Sequence, residues 1–466
     1  MIRVFDHYVP TRTVLELGTD FLLMLLAAMA ASATLTLGGA GLGSDMLGAL
    51  PKSLLFAIGT MLVLVAFGAY QRDRIGSLRA LLLRTLLAAC VAAVPLSLAM
   101  WRFSDPRDGA LGLLALSDVY LFAALLLIRQ PLLGRYAKGL WAHNVLVVGC
   151  GTEALGVAED LRQRGGGTHH LVGFYPPNSE QGREGPPPFP MFDPAQALPE
   201  LVRTHNVNEI VIAVREQRGG VLPLRDLLNC RTEGVRVHSL ATFSERLKGE
   251  VPLDSLKASW LIYGNGFAQG WWRATIKRSF DIVASLVLLS LTWWIMLLAA
   301  AAIFSEDGAP VLFRQERVGR NGHTFRVLKF RSMRTDAEKD GVARWAQAND
   351  ARITVVGRFI RKTRIDELPQ LLNVLRGEMS LVGPRPERPG FVEQLTEQIP
   401  FYAIRHSVKP GLTGWAQVRF SYGASIDDAR RKLQFDLYYV KNHSLVLDIQ
   451  IILETVRVVL VGEGAR

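Results

Sequence analysis

Four long apolar runs fill the first part of the chain, and each approaches the roughly 20 residues that a helix needs to cross a bilayer. They lie at about Val14–Leu37, Leu50–Tyr70, Leu81–Trp101 and Leu111–Ile128. The first run lacks a small-residue cleavage site and further runs follow it, which is typical of an anchor and not of a removed signal peptide. The pattern predicts an α-helical bundle of four membrane spans over residues 1–143.

Basic residues are distributed unequally between the two sides of this predicted bundle. One side carries Arg3, Arg12, Arg72, Arg74, Arg79, Arg129, Arg135 and Lys138, and the other carries Lys52, Arg102 and Arg107. Cytoplasmic loops of membrane proteins hold the excess of Lys and Arg. We therefore expect the N-terminus and everything after Ile128 to lie in the cytoplasm.

From residue 144 the pattern changes to short buried strands. The candidate strands are Val145–Val148, Glu209–Val214 and Val235–His238, with a loop at Tyr175–Pro194. A strand followed by Gly149, Gly151 and a helix start is how a Rossmann-like unit begins. The dinucleotide fingerprint is incomplete, because Ala154 occupies its third position and no acidic residue follows about 20 residues later. The sequence predicts an α/β Rossmann-like cytosolic domain over residues 144–250, with a structural or regulatory role and nucleotide binding both open.

A polar stretch near residue 366 carries the strongest chemical signal. The adjacent carboxylates Asp366 and Glu367 are surrounded in the sequence by the cations Arg361, Lys362, Arg364 and Arg385. Leucines at helical spacing follow, and Pro369 is tolerated only in a first helical turn, so we expect the carboxylates at a helix N-terminus. There the helix dipole and the arginines favour the ionised forms of both carboxylates.

Such a cluster suits a phosphorylated substrate. An ionised Asp can attack phosphorus, and a neighbouring Glu can hold a hard cation that neutralises a diphosphate. Adjacent helical side chains point roughly 100° apart, so the two carboxylates are expected to have different tasks. The simpler alternative is an Asp-Glu pair that only caps a helix.

Several further motifs accompany this stretch in order along the chain. They are Phe280-Asp281, Phe313–Gly319, Lys329–Met333, Arg361–Pro386 and Lys409–Gln417. With them, the region from Arg273 to the C-terminus resembles the bacterial sugar transferase family, the polyprenyl-phosphate glycosyl-1-phosphate transferases. The first ten residues also resemble members linked to exosortase-associated exopolysaccharide systems.

The resemblance implies an activity and a set of site residues. It implies transfer of a sugar-1-phosphate from a UDP-sugar to polyprenyl (undecaprenyl) phosphate, with release of UMP, as the first membrane step of exopolysaccharide synthesis. Glucose is the favoured sugar, and galactose is the alternative. Asp366 would form an aspartyl-phosphosugar intermediate, and Glu367 would hold Mg²⁺. The implied phosphate-binding residues are Lys329, Arg361 and Arg385, with Arg331 and Lys409 as additional contacts.

The resemblance also implies the architecture of the C-terminal part. It predicts a linker at 251–272 and a mainly α-helical monotopic catalytic domain at 273–466, with a membrane helix at 280–303. In the family this helix is re-entrant and turns back at a Ser-Pro break. Here Trp293-Trp294 stands at the corresponding place, although Ser290 and Thr292 can bend a helix by bonding backward to carbonyls. Both flanks are basic, so we expect both ends in the cytosol and a re-entrant helix.

Composition narrows the other classes of function. The net charge of +11, from 53 basic and 42 acidic residues, suits membrane lipid and phosphate ligands, and no nucleic-acid motif accompanies it. The three cysteines, Cys90, Cys150 and Cys230, are too few and too scattered for a disulfide framework. We expect a multi-pass protein of the bacterial inner membrane with its active site on the cytoplasmic face; homo-oligomerisation stays open.

Two other functions are alternatives. A membrane-bound nucleotide-sugar dehydratase or epimerase would account for the Rossmann-like unit, but it needs a Tyr-x-x-x-Lys pair, which the chain does not contain. A non-catalytic scaffold for polysaccharide assembly would explain the membrane spans. It gives no reason for the concentration of Asp, Glu and Arg around Asp366.

Overall fold

A computed structural model of the chain describes residues 2–4, 7–9, 11–37, 46–66, 110–124, 143–164, 169–176, 190–214, 222–253, 270–335, 352–420 and 425–461. These residues are mostly helical, with a small parallel sheet. The chain divides into two compact units, one formed by residues 1–2 and 9–248 and the other by residues 3–8 and 249–466. Two short strands, β1 (Ile2–Val4) and β2 (His7–Val9), pair with each other near the N-terminus.

Three apolar helices open the first unit. They are α1 (Thr11–Leu37), α2 (Met46–Ala66) and α3 (Ala110–Ala124). Helix α1 contacts both others, and Met24, Ala31, Phe56 and Leu121 are buried between them. These helices match the first, second and fourth predicted runs, whereas Leu81–Trp101 lies outside the described residues.

By length and composition, two described helices could cross a membrane. One is Val14–Thr34, within α1, and the other is Trp271–Asp307 in the second unit. The apolar helices Leu50–Val65 and Ala115–Ala124 are shorter. The chain thus has several apolar helices where membrane spans are predicted, and the number of spans stays a prediction.

A four-stranded parallel sheet completes the first unit. Its strands are β3 (His143–Val148), β4 (His169–Tyr175), β5 (Glu209–Ile212) and β6 (Arg236–Ser239), in the order β4-β3-β5-β6. Its helices are α4 (Thr152–Arg164), α5 (Leu198–Thr204), α6 (Leu224–Thr232) and α7 (Leu240–Lys248). Alternate residues of β3 point to opposite faces: Val145 and Val147 pack with α4 and α7, whereas Leu146 and Val148 pack with α5 and α6.

The three predicted strands are confirmed, but the prediction missed β4. The strand begins with two polar residues, His169 and His170, and its apolar part is short, so the sequence shows no clear strand pattern there. The glycine turn after β3 is also present. Gly149 has a φ of 135°, and a side chain there would collide with the carbonyl oxygen of Ala213, so only glycine fits.

The second unit is mainly helical and starts with a long helix, α8 (Trp271–Asp307). There follow β7 (Leu312–Val318), β8 (Thr324–Phe330), α9 (Val355–Lys362), α10 (Gln370–Arg376), β9 (Ser380–Val382), α11 (Pro389–Gln398), β10 (Gly411–Thr413), α12 (Trp415–Arg419), α13 (Ile426–Asn442) and α14 (Leu445–Val461). Strands β7 and β8 form an antiparallel hairpin, and β9 pairs with β10 in parallel. The core includes Leu371 and Val374 of α10, Tyr438 of α13 and Ile451 of α14.

Both ends of α8 are bonded to this same unit. Near its start, Arg278 donates to the carbonyl oxygens of Val374 and Leu375 at 2.6 and 2.8 Å. Near its end, the Glu306 carboxylate accepts from the backbone N–H groups of Val355 and Val356 at 2.7 and 3.0 Å. The two ends are therefore fixed on one folded body, although 37 helical residues measure about 55 Å along the axis.

The middle of α8 is apolar and exposed. Residues 280–303 lie wholly within the helix, and Trp293 and Trp294 are in helical conformation like their neighbours. The predicted backward bonds are present: Ser290 Oγ donates to the Val287 carbonyl at 2.8 Å, and Thr292 Oγ1 to the Leu288 carbonyl at 2.7 Å. Such bonds bend helices slightly.

Charged groups collect at the amino ends of the parallel strands. The buried Glu209 lies 3.2 Å from Arg236 and 3.9 Å from Arg246. Burial opposes its ionisation, but the two arginines outweigh this effect and lower its pKa. His238 Nε2 lies 2.6 Å from Arg246 Nη1, and burial and then this arginine lower the pKa of His238 to about 4. Burial likewise lowers the pKa of His169 to about 4, against the attraction of Glu209.

The histidines should make the parallel sheet less stable in acid. Between pH 6.5 and about 4 the unfolded chain binds protons that the folded His169 and His238 do not, so stability falls as pH decreases through this window. Hydrogen exchange of peptides from β5 and β6, corrected for intrinsic rates, should show lower protection at pH 5 than at pH 7. His238→Gln should weaken this pH dependence, because Gln can accept from Arg246 without titrating.

A matched control is His170→Gln, a change at an exposed histidine of the same sheet. It should leave the pH dependence as in the parent protein. Equal pH dependence in all three proteins would show that His238 does not contribute to the acid sensitivity of this sheet.

Candidate active site

The two carboxylates lie in a tight turn between two helices. Thr354 caps the start of α9 by accepting from the Gly357 N–H at 2.9 Å, and Arg364, in the left-handed region with a φ of 60°, ends the helix. A 3-10 turn over Ile365–Glu367 follows, and Pro369 leads into α10. We predicted the carboxylates at a helix N-terminus; the structure places them in the 3-10 turn just before α10 and not in its first helical turn.

Glu367 is surrounded by cations from three segments. Its Oε1 lies 3.6 Å from Lys329 Nζ of β8, 3.6 Å from Arg364 Nη1 and 3.3 Å from Arg385 Nη2. Only 8% of Glu367 is exposed. Charges repel or attract more strongly where water is excluded, so this carboxylate fixes the three cations in one small volume.

A buried asparagine brings β8 to this place. The Oδ1 of Asn373, on α10, accepts from the Leu328 N–H at 3.0 Å, and its Nδ2 donates to the Arg326 carbonyl at 2.8 Å. The side chain thus replaces a missing strand neighbour for β8 and fixes the strand against α10. Lys329 follows directly after Leu328 and is therefore held beside Glu367.

The cations keep Glu367 ionised. Burial by itself would raise its pKa, but Lys329, Arg385 and Arg364 together lower the pKa to about 2. The pKa of Lys329 is lowered by burial, against the attraction of Glu367. Glu367 is therefore a permanent negative charge at any physiological pH.

Asp366 behaves differently from its neighbour. Burial and then repulsion by Glu367 raise its pKa to about 6, while Lys329, Arg364 and Arg385 only partly oppose the shift. Asp366 is also 8% exposed, and its Oδ1 is buried without a hydrogen-bond partner. The expectation that dipole and arginines favour ionisation of both carboxylates is correct for Glu367 and wrong for Asp366, because desolvation outweighs the attraction there.

The other nominated residues lie elsewhere. Arg361, at the end of α9, forms no ion pair with either carboxylate among the described residues. Arg331 donates to the carbonyl oxygens of Asp307 and Gly308 at 2.9 and 2.8 Å, where it binds the end of α8. Lys409 lies at the other end of α10, near Gly377, which directly follows the helix. A Cβ atom built on Gly377 would be 3.6 Å from Lys409 Nζ. Contacts of these three residues with a substrate stay predictions.

Arg364 is the site residue that sequence reasoning did not select. It belongs to the cluster of cations upstream of Asp366, but the family resemblance implied Arg361, and not Arg364, as the phosphate-binding residue. The available signal was spacing, since residues three apart in a helical turn are neighbours, and Arg364 is three residues before Glu367.

The carboxylates offer suitable donors for a magnesium ion. Mg²⁺ prefers oxygen and commonly takes only one or two protein carboxylates together with substrate phosphates. The unpartnered Asp366 Oδ1 and the Glu367 carboxylate fit such a set, whereas the described residues hold no cluster of three or more His, Cys, Asp or Glu for an all-protein site. The nearby cations mean that such an ion would need phosphate oxygens to balance its charge.

The geometry suits transfer of a phosphoryl group. A poorly solvated carboxylate that is mostly ionised above pH 6 can act as a nucleophile. Three cations lie within 4 Å of the neighbouring Glu367 carboxylate. Cations in this place can stabilise the negative charge that develops on phosphoryl oxygens during transfer.

Comparisons with known proteins agree with this chemistry. The model of a family described as "Bacterial sugar transferase" matches residues 272–462. One relative is the UDP-N-acetylgalactosamine-undecaprenyl-phosphate N-acetylgalactosaminephosphotransferase of Aeromonas hydrophila, to which the chain is 46% identical over 242 residues. The matched region covers 52% of this chain and 56% of that protein.

Several of the matching relatives are named for glucose. The chain is 31% identical over 350 residues to the UDP-glucose:undecaprenyl-phosphate glucose-1-phosphate transferase of Xanthomonas campestris pv. campestris, covering 72% of this chain and 70% of that protein. It is 45% identical over 191 residues to the protein of the same name from Caulobacter vibrioides, covering 41% of this chain and 71% of that protein. The similarity to the Aeromonas protein, in contrast, spans only about half of that relative's length.

Lys329→Met should raise the pKa of Glu367, because Lys329 is the strongest of the charges that lower it. The pKa can be followed through the side-chain ¹³C carboxyl resonance of Glu367, assigned by its loss in Glu367→Gln. Lys409→Met makes the same change at a lysine near Gly377 and should leave this resonance unchanged at each pH. Identical titrations in the parent and Lys329→Met would contradict the described ion cluster.

Proposed function

Because the chain belongs to the bacterial sugar transferase family, we propose that it transfers a sugar-1-phosphate from a UDP-sugar to polyprenyl phosphate and releases UMP. The observation that carries this proposal is the pair of adjacent buried carboxylates with opposite pKa shifts, Asp366 raised to about 6 and Glu367 lowered to about 2. One is available as a nucleophile, and the other holds the cations.

The reaction would proceed in two displacements at one phosphorus atom. An Asp366 carboxylate oxygen attacks the phosphorus that bears the sugar, and the bond from that phosphorus to the bridging oxygen breaks. UMP leaves with the bridging oxygen and its electron pair. An oxygen of the lipid phosphate then attacks the same phosphorus, releases the Asp366 carboxylate and forms the sugar-diphosphate lipid.

The surrounding charges would favour these steps. The unpartnered Oδ1 of Asp366 has no hydrogen bond to lose before it attacks. Lys329, Arg364 and Arg385 would stabilise the negative charge on the phosphoryl oxygens, and Arg offers a two-pronged contact that Lys cannot give. Mg²⁺, held by Glu367 and the diphosphate of the substrate, would supply further positive charge at the leaving group.

The sugar is proposed from the relatives. Several relatives are named for UDP-glucose, and the similarity to the Xanthomonas protein covers 72% of this chain, so UDP-glucose is our first candidate. UDP-N-acetylgalactosamine is the second, because the Aeromonas relative bears that name. The product would then start an exopolysaccharide repeat on its lipid carrier.

We place the active site at the cytoplasmic face of the inner membrane of a bacterium. The attachment of both ends of α8 to one folded unit supports a re-entrant helix, since a simple span would separate its ends across the bilayer. The exposed apolar side chains of its middle, Leu291, Trp293 and Leu297, would face lipid.

We further propose that the parallel-sheet domain is Rossmann-like and has a structural or regulatory role. The strand order β4-β3-β5-β6, the helices on both faces and the glycine turn at Gly149 support the fold. The incomplete fingerprint supports a role other than catalysis.

The reaction is tested by incubating the purified protein with undecaprenyl phosphate, Mg²⁺ and a panel of UDP-sugars. UMP should form with one or a few of them. Asp366→Asn keeps the size of the side chain but removes the attacking charge, so UMP release should fall roughly 10³-fold or more. Without lipid acceptor, the parent protein should retain label from a sugar-phosphate-labelled substrate, and Asp366→Asn should not.

Two outcomes would overturn this scheme. Failure of every UDP-sugar to yield UMP would remove the proposed activity. Covalent labelling of Asp366→Asn would show that another residue is the nucleophile. Arg431→Lys, at an ion pair with Glu250, is a control for general damage and should keep near-parent activity.

The membrane topology is tested with single cysteines in a cysteine-free background. Thr275→Cys and Ser305→Cys are near-isosteric changes at exposed positions near the two ends of α8. If α8 is re-entrant, an impermeant maleimide should label both from the cytoplasmic side of inverted vesicles and neither from the outside of intact spheroplasts. Labelling of one position from the outside would mean a full span.

A further inference from the structure

The segment that carries Arg385 is held by its carbonyl groups. Prolines flank Arg385 on both sides, and proline has no N–H to donate. Pro384 O accepts from the Gly411 N–H at 3.0 Å, and Glu387 O accepts from the Val318 N–H at 2.9 Å. Between them, Pro386 O accepts from Arg317 Nη1 at 3.1 Å.

The remaining carbonyl, that of Arg385 itself, accepts from a buried arginine. Arg405 Nη2 lies 2.9 Å from Arg385 O. Its Nε donates to Asp436 Oδ2 at 3.0 Å, and its Nη1 donates to Tyr402 Oη at 2.9 Å. Arg405 is 5% exposed, so its guanidinium is a fixed part of the interior.

Asp436 supplies the charge that keeps this arginine in place. It lies on α13, is 2% exposed and approaches Arg405 Nη2 to 2.8 Å. Removal of one partner from a buried ion pair leaves an uncompensated charge, which is costly. The pair is therefore a rigid link between α13 and the backbone of Arg385.

We propose that Arg405, held by Asp436 and Tyr402, is a positioning residue that fixes the backbone of Arg385 and so keeps its guanidinium against Glu367 in the active site. The proposal rests on the proposed phosphate-binding role of Arg385. About one third of the Arg385 side chain is exposed, and its guanidinium lies 3.3 Å from Glu367 Oε1. Fixing its backbone limits where the guanidinium can go.

The planar fork of arginine is needed for this role. Arg405 uses three nitrogens toward three separate acceptors. Lysine carries a single donor atom on a flexible stem and cannot span such a set. Arg405→Lys therefore keeps the positive charge opposite Asp436 but should release the Arg385 carbonyl.

The first test measures Arg385 directly in the full-length protein. Phenylglyoxal modifies arginine side chains, and mass spectrometry of the peptide that contains Arg385 gives the rate at which Arg385 is modified. We expect Arg405→Lys to increase this rate at least threefold. Arg431→Lys makes the same substitution at another arginine–carboxylate pair, 2.8 Å from Glu250, and should leave the rate unchanged. A parent-like rate in folded Arg405→Lys would overturn the proposal.

If Arg405→Lys does not fold, Tyr402→Phe takes its place. It removes one acceptor of Arg405 without changing any charge, and the Arg385 rate should again rise. An unchanged rate in this variant would equally overturn the proposal.

The second test measures kinetics. Displacements of about 1 Å can cost 10²-fold in rate, so we expect Arg405→Lys to lower kcat/KM for the UDP-sugar about 10- to 100-fold. In an Arg385→Lys background the same substitution should have little further effect, because it acts through Arg385. Equal losses in both backgrounds would show that Arg405 acts by another route. If the parent protein releases no UMP, the proposed function fails, and the phenylglyoxal rates still decide whether Arg405 positions Arg385.

Discussion

The buried carboxylate of Glu367 attracts three cations that come from distant parts of the chain, and the geometry of the site depends on this attraction. Without it, Lys329, Arg364 and Arg385 would repel one another in a poorly solvated volume. Burial is the main reason that the pKa of Asp366 is raised, and the negative charge of Glu367 is the second. The two adjacent carboxyl groups therefore have very different pKa values. One acidic side chain therefore organises the cations and shifts the pKa of the proposed nucleophile.

The fold supports this cluster through buried polar contacts. Asn373 fixes β8 so that Lys329 lies beside Glu367, and the pair of Arg405 and Asp436 fixes the segment of Arg385. Each contact joins a helix to a short or irregular element. Buried polar groups of this kind are satisfied in one arrangement only, which favours a preorganised site.

The long helix α8 connects the site to the proposed membrane environment. Its middle exposes apolar side chains, whereas both ends are bonded to the unit that carries the carboxylates. A water-soluble sugar nucleotide and a lipid phosphate would meet at such a boundary. The proposed chemistry requires both substrates at one phosphorus, and in a membrane this arrangement would bring a polar site next to lipid.

The sequence by itself determined the local features. These features are the apolar runs, three strands of the parallel sheet, the family, and the position of Asp366 and Glu367 close to the start of a helix. All of them follow from contiguous residues, because periodicity and motifs are local. It missed β4, whose polar start masks a buried strand. Only the tertiary structure decided which cations reach Glu367, selecting Arg364 and not Arg361, since contacts between residues 329, 364 and 385 depend on packing. It also decided the protonation of Asp366, because desolvation is a property of burial and not of neighbours in the sequence.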